Sequence, residues 1–304
     1  MEYILKTENL YKKYHDFTAL NGLTLNVPKG SIYGFVGKNG AGKTTLIRII
    51  CGLQKETRGT FELYGIKNTD NKINQARKKI GAVVETPSIF QDLTAYENIK
   101  MQYDVLGINN YEGIEELLKL VGLENTGKKK AKNFSLGMRQ RLAIAITLCG
   151  NPEFLVLDEP INGLDPQGIV EIRELIKKLN QERNITILIS SHILDELSRV
   201  ATHYGFIANG KMVKEMSAEE FEKDCKHSIR LVVDKKEKFK ETLNKNNYNF
   251  KLIDEITADI YGKVEITPLV LSLHQEGISV LKITDRDENL ENYFFKLLGG
   301  EKND

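Results

Sequence analysis

The sequence predicts an α/β fold class, in which a parallel sheet is covered by helices and is followed by a small α+β domain. Over the first two hundred residues, short β-rich runs alternate with helical patterns, which is typical of such a sheet. A glycine-rich loop joins a predicted strand at residues 31–36 to a predicted helix at residues 43–53. The character of the sequence changes near Cys225. We therefore expect two domains, residues 1–224 and residues 225–304.

The first domain divides into sections that differ in pattern. Near its start, Leu23, Leu25 and Val27 alternate with polar residues, which predicts a strand in a β-rich N-terminal subdomain. From about residue 94 to residue 122 the pattern is purely helical, so a helical insertion over about residues 86–150 is expected. The α/β alternation continues around this insertion, with strands expected at 79–84, 154–157 and 185–190 and a helix at 167–181.

The second domain carries shorter and more charged elements. No catalytic grouping is visible in it, and its role is left open between stabilising a dimer and binding a regulator or partner. The expected order of its elements is strand 229–233, helix 235–245, strand 264–267, helix 269–275, strand 279–283 and helix 290–298.

Composition limits the class of protein. Hydrophobic residues make up 41% and charged residues 28% of the 304 residues, an ordinary balance for a globular protein. The net charge of +1 gives no electrostatic reason to expect nucleic acid as a partner. No stretch approaches the roughly 20 apolar residues that a membrane-spanning helix needs. Cys51, Cys149 and Cys225 lack the spacing of a metal site, and a reducing cytoplasm fits best.

A phosphate-binding loop follows the strand at residues 31–36. Glycines allow backbone N–H groups to approach phosphate oxygens without Cβ clashes, and the N-terminus of the next helix adds a positive dipole end. The lysine supplies a cation to the phosphates and the next hydroxyl is a Mg²⁺ ligand. The loop, which matches the established pattern, consists of Gly37, Lys38, Asn39, Gly40, Ala41, Gly42, Lys43 and Thr44, with Thr45 directly after it.

Two carboxylates end an apolar run at residues 154–157. A buried strand places Asp158 at its carboxyl edge, close to the phosphate loop, where we expect it to hold Mg²⁺ through water. Glu159, one residue further on, points elsewhere and is the candidate group for activating the water that attacks the γ-phosphate. The sequence therefore predicts a Mg²⁺-dependent ATPase.

A third motif narrows the family. Ser135 is a good N-cap and Gly137 permits close backbone approach at the start of a helix, which makes a second phosphate-binding helix terminus. With its neighbours, this segment resembles the signature sequence of ABC ATPases; it reads Asn133, Phe134, Ser135, Leu136, Gly137, Met138, Arg139, Gln140 and Arg141. In that family, Ser135 and Gly137 would contact the γ-phosphate held by a second subunit.

The same resemblance, which covers residues 1 to about 220, assigns further residues. Asp165, after Gly163 and Leu164, matches the loop through which subunits communicate. His192 matches a switch histidine that contacts the γ-phosphate. Tyr14 matches the aromatic residue that stacks on adenine, although Tyr11 lies nearby. These roles are implied by the resemblance alone.

The chain departs from the family pattern in two places. Glu85 stands where many members carry glutamine; its carboxylate is expected to reach Mg²⁺ or the attacking water. Leu136 and Met138 replace the usual glycine and glutamine of the signature. These variations, together with Thr86-Pro87 and Glu97-Asn98, resemble the bacterial subgroup associated with bacitracin and lantibiotic export or self-protection.

The resemblance implies a set of partners: ATP, Mg²⁺, a second copy of the chain or a related ATPase, and a membrane permease on a separate chain. The expected location is the cytoplasmic face of the membrane. Other functions stay open. A DNA-maintenance ATPase would insert a long coiled coil between Lys43 and Ser135, and a ribosome-associated factor would carry two cassettes. A module that only binds nucleotide would lack Lys43 or Glu159.

Overall fold

The computed structural model describes residues 2–85, 88–224, 228–262, 264–285 and 290–298. Contacts between Cα atoms divide the chain into a first unit, Met1–Ala218, and a second unit, Glu219–Asp304. The change of character predicted at Cys225 falls on a residue outside the described ranges. No helix in those ranges is long and apolar enough to cross a bilayer.

The strands of the first unit form two sheets. In the described chain they are β1 (Tyr3–Tyr14), β2 (Phe17–Pro28), β3 (Ile32–Val36), β4 (Arg58–Leu63), β5 (Ile66–Lys67), β6 (Ile80–Val83), β7 (Phe154–Asp158), β8 (Thr186–Ser191), β9 (His203–Ala208) and β10 (Lys211–Ser217). One sheet has the order β2-β1-β4-β5 and is antiparallel. The other has the order β10-β9-β3-β8-β7-β6, and all its pairs except β10 with β9 are parallel.

The helices of the first unit follow the predicted alternation. They are α1 (Lys43–Ile50), α2 (Ile73–Arg77), α3 (Ala95–Val105), α4 (Gly113–Leu120), α5 (Leu136–Leu148), α6 (Pro166–Arg183) and α7 (Leu194–Ser198). The helical insertion is made of α3, α4 and α5. The predicted helical stretch at residues 94–122 holds two helices, α3 and α4, and α3 ends before Gly107, which adopts a φ of 72°. Thr94 and Glu97 form a capping box that begins α3.

Strand burial explains why the functional residues gather at one edge. Every residue of β3, β7 and β8 is buried, as expected for central strands of a parallel sheet with helices on both faces. Carboxyl ends of neighbouring parallel strands lie together. The register pairs Asp158 with Ser190 and Val36 with Ser191. The phosphate-loop segment, the acidic pair and the segment after β8 therefore leave the sheet side by side.

The second unit is an α+β fold, as predicted. Its elements are α8 (Ala218–Asp224), β11 (Ser228–Val233), α9 (Phe239–Lys245), β12 (Asn249–Leu252), β13 (Thr257–Tyr261), α10 (Ile266–Gln275), β14 (Val280–Asp285) and α11 (Leu290–Leu297). The antiparallel sheet has the order β12-β13-β11-β14. From β11 to β14 the elements run β-α-β-β-α-β, which is a ferredoxin-like arrangement.

One predicted element of this unit is wrong. A strand was expected at residues 264–267, but Glu265 is the N-cap of α10 and Ile266 begins that helix. Proline in a first helical turn loses no intrahelical bond, so Pro268 fits there. Leu269 and Leu273, at helical spacing, are buried in the core. The apolar contacts of the helix outweigh the β-branched residues at its start.

Candidate nucleotide-binding site

The loop after β3 wraps around the side chain of Lys43. Lys43 is only 5% exposed, and its ammonium donates hydrogen bonds to the carbonyl oxygens of Gly37 at 2.7 Å and Lys38 at 3.4 Å. Gly42 has a φ of 111°, and a Cβ there would lie 2.6 Å from the Ala19 carbonyl oxygen. The backbone can adopt this path only with glycine at that position.

A cleft of about 240 Å³ opens above this loop. It brings together eight residues predicted from the sequence and three that were not predicted as site residues. The predicted ones are Asn39, Gly40, Gly42, Lys43, Thr44, Thr45, Glu159 and His192, and the others are Phe17, Ala19 and Asn162. The cleft therefore combines backbone donors, one ammonium and one carboxylate with an aromatic ring that is 60% exposed, that of Phe17.

The acidic pair at the end of β7 splits into two environments. Asp158 is 2% exposed, and its Oδ1 accepts a hydrogen bond from the Ser190 hydroxyl. Glu159 has left-handed backbone, with a φ of 51°. Its Oε1 lies 3.2 Å from the Lys43 ammonium, and its Oε2 lies 2.8 Å from His192 Nδ1. The adjacent carboxylates thus face different partners.

Tyr14 and Glu85 lie outside the lining of this cleft. Tyr14 is paired with Phe17 across the turn between β1 and β2, so the two rings belong to the same end of the hairpin. The Tyr14 hydroxyl donates a hydrogen bond to Gln54. Glu85 lies two residues after the end of β6 and has a φ of 61°. Its carboxylate forms an ion pair with Arg48 of α1 at 2.5 Å.

The signature residues also lie away from the cleft of their own chain. Ser135 is exposed and caps α5, since its hydroxyl accepts a hydrogen bond from the Met138 N–H at 3.2 Å. Asp165 caps α6 in the same way through the Gly168 N–H at 3.0 Å. Gly137 approaches the beginning of α6, with the Gly168 Cα 3.7 Å from the position of an added Cβ. Two capped helix N-termini therefore lie together on a second surface.

The residues that the sequence reasoning missed carry weak signals. Phe17 lies in a segment where apolar and polar residues are interspersed, which does not distinguish it. Only its pairing with Tyr14 indicates that it belongs to the site. Asn162 lies in the turn after the acidic pair, and its backbone N–H donates a hydrogen bond to the Glu159 carbonyl oxygen. Ser190 follows an apolar run and precedes the predicted histidine by two residues. A hydroxyl at that place in the sequence indicates a residue close to the site.

The fold and the cleft define a class: an α/β nucleoside triphosphatase with a phosphate loop. A family profile described as ABC transporter matches residues 20–162. The chain is 41% identical to the bacitracin transport ATP-binding protein BcrA of Bacillus licheniformis, over 99% of each chain. It is 44% identical to the lantibiotic transport ATP-binding protein SrtF of Streptococcus pyogenes, over 70% of this chain and 90% of that protein.

A solved structure agrees with these relatives. A dimeric ATP-binding cassette, in a post-hydrolysis state with ADP and phosphate, is 28% identical with a TM-score of 0.62 and covers 70% of this chain and 98% of its own. The chain belongs to the ABC transporter family, as an ATP-binding subunit. It binds and hydrolyses ATP, and the predicted fold class and family are confirmed.

Tyr14→Ala and Phe17→Ala are each expected to raise the Kd for ATP about tenfold, because stacking on a base contributes about 1–3 kcal/mol. The Kd for tripolyphosphate, which has no base, should not change. Titration calorimetry measures both constants. The control is His15→Ala, an exposed residue in the same turn. A loss confined to Phe17→Ala would contradict the assignment of Tyr14 to adenine.

Proposed function

We propose that the chain energises the export of a peptide antibiotic, or a similar amphiphile, through a membrane permease on a separate chain. The observation that carries this proposal is the split site: the cleft around Lys43 holds the acidic residue Glu159, whereas Ser135 caps a helix on another surface. The relatives named for bacitracin and lantibiotic transport support the class of cargo. The location that follows is the cytoplasmic face of a bacterial membrane.

The residues of the cleft divide the chemistry of hydrolysis. Lys43 binds the β- and γ-phosphates, and the loop N–H groups orient them. Glu159 accepts a proton from the attacking water, which forms the new P–O bond while ADP leaves with the electrons of the broken bond. His192 lies 2.8 Å from Glu159 and holds its carboxylate in place. Glu159 also lies 3.2 Å from the Lys43 ammonium, so the base and the phosphate-binding cation are adjacent in the cleft.

Thr44 and Asp158 are the residues that would hold Mg²⁺. The described residues contain no group of three or more His, Cys, Asp or Glu side chains that could bind a metal ion. This fits Mg²⁺, which takes one or two protein oxygens and completes its octahedron with phosphate oxygens and water. The ion would neutralise the charge that develops on the phosphate oxygens. Glu85 is the third candidate ligand.

A second copy of the chain completes the site. Ser135 and Gly137 of one subunit would bind the γ-phosphate held by the phosphate loop of the other, and Asp165 lies beside them at the N-terminus of α6. ATP then joins two subunits, and hydrolysis removes the joining group. Exposed Ser135 is available for this contact. A cycle of closing and opening follows from the presence or absence of the γ-phosphate.

We assign the permease to a groove of about 380 Å³ between β6 and α5. Apolar side chains such as Leu53, Val83 and Ala143 line it together with Arg77. A groove of this composition fits a short amphipathic helix. The ion pair between Arg48 and Glu85 links the phosphate-loop helix α1 to the segment that follows the groove-lining residues Val83 and Val84.

Affinity purification from detergent-treated membranes of the native host tests the transporter assignment. We expect a polytopic membrane protein to co-purify with the tagged chain, and Leu53→Asp to abolish its recovery while preserving ATP binding. Thr18→Asp, an exposed position on β2, is the control for added charge. Recovery of ribosomes or DNA in place of a membrane protein would support the alternative functions and overturn this one.

Arg48→Met is expected to slow hydrolysis up to about fivefold, the range of an exposed ion pair. The unpaired Glu85 carboxylate would then repel the triphosphate, which carries the same sign of charge. Glu85→Gln removes that repulsion, so the double variant should regain the rate of Glu85→Gln alone. Steady-state kcat and KM of the four proteins complete a double-mutant cycle. If the effects of Arg48→Met and Glu85→Gln on kcat and KM are additive, Arg48 does not act on hydrolysis through Glu85.

A further inference from the structure

Ser190 is a buried hydroxyl at the carboxyl end of β8. It follows the aliphatic residues Ile187, Leu188 and Ile189 on the strand, and the residue itself has no exposed surface. The register places it directly opposite Asp158 of β7. A buried hydroxyl costs free energy unless it forms hydrogen bonds, so its partners indicate why the strand carries it.

The Ser190 hydroxyl uses both of its hydrogen-bonding functions on the acidic pair. It donates to Asp158 Oδ1 at 2.5 Å and accepts from the backbone N–H of Glu159 at 3.0 Å. The Ser190 carbonyl oxygen accepts from the same N–H at 3.2 Å. One residue of β8 therefore holds the side chain of one acid and the backbone of the other.

The second of these bonds acts on strained backbone. Glu159 has a φ of 51°, and left-handed backbone costs a non-glycine residue about 1–2 kcal/mol. In that conformation its carboxylate reaches the Lys43 ammonium and His192 Nδ1. A right-handed or extended Glu159 would direct the side chain elsewhere. The bonds from Ser190 help to hold the conformation that brings Glu159 into the cleft.

We propose that Ser190 is a positioning residue for both acids: it fixes the Asp158 carboxylate for Mg²⁺ and the Glu159 carboxylate for the attacking water. The proposal rests on the proposed roles of Asp158 and Glu159 in Mg²⁺ binding and hydrolysis. Ser190 is not among the residues that line the cleft. The Ser190 hydroxyl makes one bond to each acid, so its removal should affect metal affinity and turnover together.

Ser190→Ala tests this through two independent measurements. We expect kcat to fall at least tenfold and the Mg²⁺ concentration for half-maximal binding of a fluorescent ATP analogue to rise several-fold. The Kd of that analogue in EDTA should stay within twofold of wild type, because the phosphate loop is untouched. Ser190→Thr keeps the hydroxyl and should restore both the metal dependence and most of the turnover.

Thr186→Val is the matched control for lost stability. Thr186 lies on the same strand, is equally buried, and its hydroxyl accepts a backbone hydrogen bond from Gly30 at 2.8 Å. Its removal should lower the melting temperature as Ser190→Ala does and leave kcat and the Mg²⁺ dependence unchanged. All assays are run well below both melting temperatures.

Two results would overturn the positioning role. One is a Ser190→Ala protein with wild-type kcat and wild-type Mg²⁺ dependence. The other is an equal loss in Ser190→Ala and Thr186→Val, which would make the hydroxyl merely structural. A wild-type protein whose ATP binding and hydrolysis do not respond to Mg²⁺ would instead contradict the proposed roles of Asp158 and Glu159, so the two failures are distinguishable.

Discussion

Glu159→Gln is expected to bind ATP as wild type does and to hydrolyse it at least about a hundredfold more slowly, since general base catalysis contributes about 10²–10⁴-fold. Glutamine has nearly the same shape as Glu159 and can still bond to both Lys43 and His192, so the cleft keeps its form. It cannot accept the proton of the attacking water. The γ-phosphate then persists, and the closed dimer should accumulate with ATP.

The control for Glu159→Gln is Glu153→Gln, at the opposite end of the same strand. Glu153 pairs with Lys79 on the surface, so its replacement removes one carboxylate without touching the cleft. Phosphate release measures turnover, and size-exclusion chromatography in ATP measures the dimer. Wild-type hydrolysis by Glu159→Gln would exclude Glu159 as the catalytic base.

Ser135→Asp is the second change with a large expected effect, a loss of hydrolysis of about a hundredfold or more, in the range of lost electrostatic stabilisation of a transition state. Asp caps a helix as well as Ser does, and a carboxylate is favourable at a helix N-terminus. The subunit itself should therefore be as stable as wild type. The new negative charge should therefore repel only an anion that another subunit brings to this helix N-terminus, such as the γ-phosphate of its ATP.

Thr94→Asp is the matched control, because it exchanges the N-cap of α3 in the same way. It should leave the ATPase rate of the isolated protein unchanged. Melting temperature reports the stability of each variant, and equilibrium titration reports ATP binding by the monomer, which Ser135→Asp should retain. An unchanged ATPase rate in Ser135→Asp would mean that no phosphate approaches this helix.

Sequence reasoning predicts four strands of the central sheet, β3, β6, β7 and β8, whereas β9 and β10 of the same sheet were not predicted. The predicted strands share a pattern of short apolar runs, which burial on both faces dictates. The antiparallel strand β1 has no such pattern, since register shifts interrupt its pairing with β2. In the second unit, β12 and β13 were not predicted because short, half-buried strands carry little periodicity.

The site shows the same division between local and tertiary determinants. The phosphate loop and the acidic pair are contiguous motifs whose chemistry is readable from residue types alone. Phe17 and Asn162 enter the cleft only because separate segments meet there. The ion-pair partner of Glu85 could not be predicted from the sequence either, because Arg48 lies 37 residues away on α1. Sequence predicts the reacting groups, and the fold decides what holds them.

Mixing two inactive variants tests the shared site most directly. Lys43→Ala disables the phosphate loop and Ser135→Asp disables the signature, so neither protein alone should hydrolyse ATP. A mixed dimer carries one composite site made of the intact loop of one subunit and the intact signature of the other. With equal amounts of the two variants, about half of the dimers are mixed at equilibrium. Each mixed dimer has one intact site where a wild-type dimer has two. If the sites act independently, about a quarter of wild-type activity should therefore be recovered. No recovery, with mixed dimers demonstrated by differential tagging, would contradict a site shared between subunits.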